Sequence, residues 1–446
     1  MADLKQELER LATRAAPSTP PEGLWSRGLR RHRRRRAAAV AGATLAAVLV
    51  GTLAAVAVQS VRSASAPVAG SGAVAAIPTR VDAPSAWLPA ADPTSPIGPL
   101  AVVLGAERKS LVGGSENGLV GISARTGTYR FLDLPDQSPD GGDSEDVALS
   151  PDGRWIAYWQ ASSARPIDVV GAAAYDTRTG AVRRLPLRSR LGVFPMSLSW
   201  IDEDRLLVGW AAVDRVSGDT SSGSTQPSRL WEPAGGARTV GRRLTELTGF
   251  RPAPGGLSAS DGTAVELLDG GLRTSERHPL RLLQDQSLLG DVAVTETRDV
   301  ALVVADAEEG RNKLLTGRLH AEQLPRDGRG PAPRPPELRP VDVGTLVPEA
   351  VLAAPDARHL LVLGHVGTTT RGVYSVDLPT GTSRRVMTVP SQVFGADVAF
   401  ASDLWERPPV QRLGAPWTPD PRLVALSTGA VVLLGFTWWR RRRGVV

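Results

Sequence analysis

The chain has five histidines, His32, His278, His320, His359 and His365, and imidazole is the side chain that most readily serves proton transfer or metal ligation near neutral pH. No pair among them has the close spacing of a metal motif such as H-E-x-x-H. His359 and His365 lie six apart in a strand-like run and share a face only if the strand continues that far. A filling role suits them better than ligation. A serine hydrolase of the α/β type would show a G-x-S-x-G elbow, and none is present, nor is a phosphate-cradling or dinucleotide glycine motif. Cysteine is absent, which excludes thiol catalysis and thiolate metal sites. DQSPDGGDSED gathers Asp136, Asp140, Asp143, Glu145 and Asp146 in one loop. Calcium takes such oxygens, but the spacing is not that of an EF-hand, and a solvated acidic turn accounts for it more simply. Trp155, Trp159, Trp200, Trp210 and Trp231 offer a carbohydrate-stacking face, although packing between sheets is the better use of them. The expectation is no catalytic residue, no cofactor and no metal.

What would position these residues is a repeat. EDVALSPDGRWIAYW, Glu145 to Trp159, reads as a strand, a tight turn at Pro151-Asp152-Gly153, and a second strand. Related stretches begin at Ile201 and Ala354, the latter keeping Pro355-Asp356, and eroded copies are VAVTETRDVALVV and SASDGTAV. DVAFASD at 397–403 repeats the opening DVALSPD. A second hairpin follows the first in ISARTGTYRFLDL, AAYDTRTGAVRRLPL and YSVDLPTGTSRRVMTV, with Gly127, Gly180 and Gly381 at the turns. Two hairpins, hence four short antiparallel strands, in roughly 50 residues is the period of a β-propeller blade.

SPDGRWIAYW resembles the WD40-like (PD40) repeat of TolB-type propellers, and the whole layout resembles actinobacterial membrane proteins in which such a propeller hangs between terminal spans. The resemblance implies an all-β fold over residues 97–405, six-bladed with seven blades as the alternative, flanked by two transmembrane α-helices. It says little about activity, because one propeller scaffold serves many tasks.

The flanks carry the membrane expectation. Residues 37–58 hold no charge and follow a basic block that includes Arg33, Arg34, Arg35 and Arg36. As a helix they would reach about 33 Å, enough to span a bilayer. A cleaved signal peptide competes, with SASAPVA as its cleavage region, but 36 residues precede the apolar stretch and it is longer than a usual signal core. Residues 423–439 are also uncharged and end in Trp438 and Trp439, followed by Arg440, Arg441, Arg442 and Arg443. Indoles favour the lipid–water boundary and arginines the cytoplasmic side. The division expected is a basic cytoplasmic segment 1–36, a first span 37–58, and a flexible linker 59–96. The propeller 97–405, a connector 406–422, a second span 423–439 and a basic cytoplasmic tail 440–446 complete it.

Charge agrees with that layout. The chain is formally +6, yet residues 1–36 hold ten basic and four acidic side chains, and Arg440–Arg443 add four basic ones. Residues 37–439 are left with 38 basic and 42 acidic side chains, which argues against nucleic acid as a partner. The function expected on these grounds is noncatalytic: an extracytoplasmic scaffold in the bacterial plasma membrane, binding a protein, peptide or envelope component. The alternative is a sensor that reaches a cytoplasmic regulator, such as a sigma factor, through residues 1–36, where Leu4, Leu8 and Leu11 share a helical face.

Overall fold

The structure is a computed structural model. It describes residues 74–411 apart from 92–95, 111–113, 139–146, 163–168, 218–219, 321–333, 368–369 and 391–397, with a few positions near each end. Two units divide the chain: Pro67–Thr418, and Met1–Ala66 together with Pro419–Val446.

The larger unit is built from short strands. They begin with β1 (Leu100–Lys109), β2 (Ser115–Ser123) and β3 (Tyr129–Leu132), then β4 (Val147–Leu149), β5 (Trp155–Ala161), β6 (Val169–Asp176) and β7 (Val182–Pro186). Next come β8 (Val193–Trp200), β9 (Leu206–Ser217), β10 (Thr220–Thr225), β11 (Arg229–Trp231) and β12 (Ala237–Thr239). After them run β13 (Thr248–Ala253), β14 (Gly256–Ser260), β15 (Ala264–Leu268) and β16 (Thr274–Pro279). They are followed by β17 (Gln286–Val294), β18 (Asp299–Asp306), β19 (Arg311–Arg318) and β20 (Arg339–Pro340). The series ends with β21 (Leu346–Ala353), β22 (His359–Val366), β23 (Thr370–Asp377), β24 (Ser383–Val389) and β25 (Val398–Phe400).

These strands form six antiparallel sheets among the described residues. Five are consecutive in sequence, and in the third the outer neighbour of β9 is split into β10 and β11. The sixth is assembled from both ends of the unit: β25 pairs with β1, Val102 opposite Phe400 and Leu104 opposite Val398. The first strands of successive blades touch in turn, β25 with β4, β4 with β8, β8 with β13, β13 with β17 and β17 with β21. That makes them the inner wall of a six-bladed β-propeller.

The second strand of each blade lies between two paired neighbours with a further blade against each face. It is therefore buried on both sides and reads as an apolar run, as in β5, β18 and β22. Clusters of buried side chains fill the spaces between blades. Trp155, Trp159, Trp200, Trp210 and Trp231 all lie in the one between the second and third blades, together with Leu206 and Val208. Each is under a tenth exposed, so none offers a stacking face to a sugar.

Residues 74–91, inside the stretch expected to be a linker, lie against the propeller. Ile77, Val81 and Leu88 are buried in the core of the first blade. Short parallel bridges join Pro78 to Val410, Arg80 to Thr388 and Ala90 to Phe131. The Asp82 N–H donates to the Tyr129 hydroxyl over 3.0 Å, and burial pushes that phenol up to about 12. Among the described residues no helix is long and apolar enough to cross a membrane. The expected spans 37–58 and 423–439 fall almost wholly outside those residues, as do Arg33, Arg34, Arg35, Arg36, Trp438, Trp439, Arg441, Arg442 and Arg443. Arg440 is a described, exposed helical position.

Candidate functional site

In an antiparallel four-stranded blade, the turn from first to second strand and the turn from third to fourth emerge at the same end. At that end the repeat turns converge. In the second blade Asp152 Oδ1 accepts the Arg154 N–H (2.9 Å) and the Ser150 hydroxyl (2.7 Å), and Ser150 Oγ accepts the Trp155 N–H (2.9 Å). Gly153 has φ +75°, and a Cβ there would stand 1.9 Å from the Leu100 carbonyl oxygen. This glycine permits both the left-handed turn and the seam with the first blade. In the sixth blade Asp356 Oδ1 accepts the Arg358 and His359 N–H groups, each over 2.7 Å, after Pro355. Gly127, Gly180 and Gly381 all sit at positive φ in the second-hairpin turns, each donating its N–H back to the residue four before it.

One part of this end is a cavity of about 650 Å³, lined by Pro151, Ile201, Asp202, Glu203, Asp204, Arg205, Glu232, Pro252 and Asp403. The second and third blades supply residues of their first turns, the fourth supplies Pro252 near the end of β13, and the third adds Glu232 from its last turn. Asp403 arrives on a 3-10 helix, Ser402–Glu406, that follows the closing strand, and its N–H donates to the Pro151 carbonyl over 3.1 Å. Five carboxylates and one guanidinium line the space. Asp202 is committed: Oδ1 accepts the Arg205 N–H (2.8 Å) and Oδ2 takes Arg205 Nε (2.6 Å). Glu203 is exposed and makes no ion pair with any described residue. Burial raises the Asp403 carboxyl above the usual range, and the charges of Glu203, Glu406 and Asp152 raise it further. The cavity is thus an unneutralised negative mouth with apolar walls at Pro151, Ile201 and Pro252. It suits a cationic head on an aliphatic stem, where stem and head are met by different surfaces.

The other residues singled out in the sequence lie elsewhere. The strand β22 does run through both His359 and His365, so an even spacing puts them on one face, but they have different partners. His359 Nδ1 meets Asp356 Oδ2 at 2.9 Å, and His365 Nδ1 meets Glu349 Oε1 at 3.0 Å. No group of three His, Asp or Glu among the described residues is arranged to hold a metal. Of the acidic loop, Asp136 is described and pairs with Arg184 at 2.9 Å, whereas Asp140, Asp143, Glu145 and Asp146 lie outside the described residues. Sequence reading missed Glu203, Glu232 and Asp403 as a group. The signal that could have found them is the placement of acidic residues just after the repeat's first strand, in IDED at 201–204 and ASD at 401–403.

No protein-family model matches the chain, and no curated protein matches it. Solved structures with similar architecture include dipeptidyl peptidase 4 of Porphyromonas gingivalis, at 10% identity and TM-score 0.33, covering 65% of this chain and 51% of that one. The β-propeller domain of the Trilobed protease from Pyrococcus furiosus is 14% identical with TM-score 0.31, over 70% of this chain and 99% of that one. A Mycobacterium tuberculosis puromycin-hydrolyzing peptidase is 16% identical with TM-score 0.33, over 67% and 46%. The chain spans about half the length of the first of these. Likeness at this level establishes the fold alone. The expectations of a noncatalytic scaffold and of a chain that is not an enzyme are not upheld: the propellers that share this fold are mainly parts of peptidases.

Proposed function

We propose that this chain is a peptide hydrolase and that its acidic mouth selects substrate through a basic side chain or a free amino group. The observation that carries the reading is the mouth itself: five carboxylates against one guanidinium around about 650 Å³, with the Asp403 pKa raised by burial and then by like charges. Carboxylates crowded in this way lose repulsion when a cation arrives, so binding energy is stored in the empty site. The similar solved structures include a dipeptidyl peptidase and a puromycin-hydrolyzing peptidase, and the weight of the reading rests on the mouth rather than on those likenesses. The test is to incubate the purified full-length chain with a mixed peptide library and map new termini by mass spectrometry. Cleavage concentrated in peptides that carry Lys or Arg supports the reading. No new termini, or termini indifferent to charge, would remove it.

The setting belongs to the same proposal. Residues 37–58 and 423–439 cross the plasma membrane of an actinobacterium, and Arg33–Arg36 with Arg440–Arg443 keep both ends in the cytoplasm. The PD40-type propeller then stands outside, among envelope peptides and proteins. Support comes from two uncharged stretches, each with arginines on the same side. The chain has no native cysteine, so single cysteines at Ser18, Ser222 and Val446 can be challenged in intact cells with a membrane-impermeant maleimide. Ser222→Cys alone should label. Labelling at Val446→Cys would overturn the two-span arrangement.

A further inference from the structure

The sixth blade holds a cluster of charged and titratable groups away from the mouth. Its inner strand β21 breaks register between Pro348 and Ala350, so Glu349 is the extra residue of a β-bulge. Bulges re-aim single side chains and gather near active sites. Glu349 Oε2 accepts from Arg371 Nε at 2.9 Å and from Nη2 at 2.7 Å, while Oε1 meets His365 Nδ1 at 3.0 Å. Arg371 and His365 are direct cross-strand partners on β23 and β22. The Arg371 side chain is 5% exposed, that of Glu349 20%, and that of His365 37%. Arg371 therefore grips the carboxylate in a two-point clamp, and the carboxylate fixes the imidazole with its proton on Nδ1. His365 Nε2 has no partner among the described residues.

A structural ion pair accounts for Arg371 and Glu349 without the histidine. It does not account for an imidazole locked at one nitrogen and open at the other, on the more exposed rim of the cluster. We infer that His365 is the proton-accepting base of the hydrolysis proposed above, with Glu349 and Arg371 as positioning residues. The inference rests on that hydrolase reading. Water is the co-reactant. Nε2 takes a proton from the water as its oxygen bonds to the peptide carbonyl carbon, and the carbon–nitrogen bond breaks as Nε2 returns that proton to the departing amine. The proton that Nε2 takes from the water is the one it returns to the amine, so the imidazole ends as it began. His365, opposite Val347, lies four residues up β22 from Leu361, which pairs with Ala353 at the turn end of the ladder. At about 3.3 Å per residue that is roughly 13 Å above the turn end of the ladder. An extended substrate held by a basic side chain at the mouth would then be cut about four residues away or further.

The test uses the full-length chain and fluorogenic peptides over about pH 5 to 9. His365→Gln should lower kcat about a hundredfold or more, with KM and the thermal unfolding midpoint little changed. Glu349→Gln keeps the shape and loses the charge, and should lower kcat about tenfold or more and move the pH–rate profile, which a merely structural role would leave in place. Arg371→Lys should fall between wild type and Glu349→Gln. Turnover retained in His365→Gln would overturn the assignment of the base and leave the hydrolase reading standing. A wild-type chain that cleaves nothing would remove both.

Discussion

Asp403 is the residue where stability and the proposed function pull apart. Its carboxyl is raised by burial first and then by the charges of Glu203, Glu406 and Asp152, so the ionised form is disfavoured in the folded chain relative to the unfolded one. A raised carboxyl pKa costs stability above the folded value, and the cost vanishes below the ordinary carboxylate value of about 4, where both states are protonated. Asp403→Asn is therefore expected to raise the unfolding midpoint at neutral pH, with the gain shrinking as pH falls toward that value. Thermal melts of the two chains across that range check it, and an unchanged or lowered midpoint at pH 7 would contradict it. The same substitution removes one of the mouth's carboxylates, so it should also weaken any basic peptide. A residue that destabilises the fold while serving the site fits a mouth kept for its charge. Little of this was legible in the sequence. Asp403, Glu203 and Glu232 are each unremarkable acids in turns, and only ring closure brings residues 151, 203, 232 and 403 around one cavity.

At the scale of the element, the turn Ser150–Trp155 was the most legible feature, because its hydrogen bonds are local. Asp152 Oδ1 accepts the Ser150 hydroxyl, Ser150 Oγ accepts the Trp155 N–H, and Gly153 stands at positive φ. The same turn recurs with other chemistry in the fifth blade. Thr295 and Thr297 replace Ser150 and Asp152, and Arg298 takes the left-handed position at φ +66°. Arg298 also pairs with Glu276 of the neighbouring blade, and that ion pair offsets the strain of a side chain in this region. Pattern matching reads such a copy as eroded, although a turn one residue shorter, closed by Thr295 N–H to the Asp299 carbonyl, is still made there. Gly153 itself cannot be varied in this way, since a Cβ would meet the Leu100 carbonyl oxygen whose own N–H is bonded to Gly153. Gly153→Ala should cost ~2–3 kcal/mol, through strain and the parting of the first two blades. Urea titration of wild type and variant measures it, and a loss under about 0.5 kcal/mol, the size of an ordinary surface change, would contradict it. Residues 74–91 show the opposite limit. Their Ala, Pro and Ser content reads as a linker, but three spaced apolar residues, Ile77, Val81 and Leu88, suffice to seat them once the first and last blades exist. That pairing is not local, so no window of sequence displays it.

For the whole molecule, the blade count followed from the period of the repeat, because four strands per blade in a closed ring leave few other solutions. The closing pair, β25 with β1, was foreshadowed by DVAFASD repeating DVALSPD across some 250 residues. The proposed activity was not foreshadowed, since the repeats encode the scaffold and the candidate site lies in the departures from the repeat. The central claim is that the mouth selects basic peptides for cleavage. The most direct measurement compares two fluorogenic peptides, identical except for Arg in one and Glu in the other, with the purified full-length chain and with Glu203→Gln. The account predicts that the Arg peptide is cleaved with the higher kcat/KM. In Glu203→Gln its KM should rise about fivefold at unchanged kcat, the ~1 kcal/mol of a partly exposed charge pair lost equally from ground and transition states. Equal cleavage of the two peptides, or a preference that Glu203→Gln leaves intact, would contradict it.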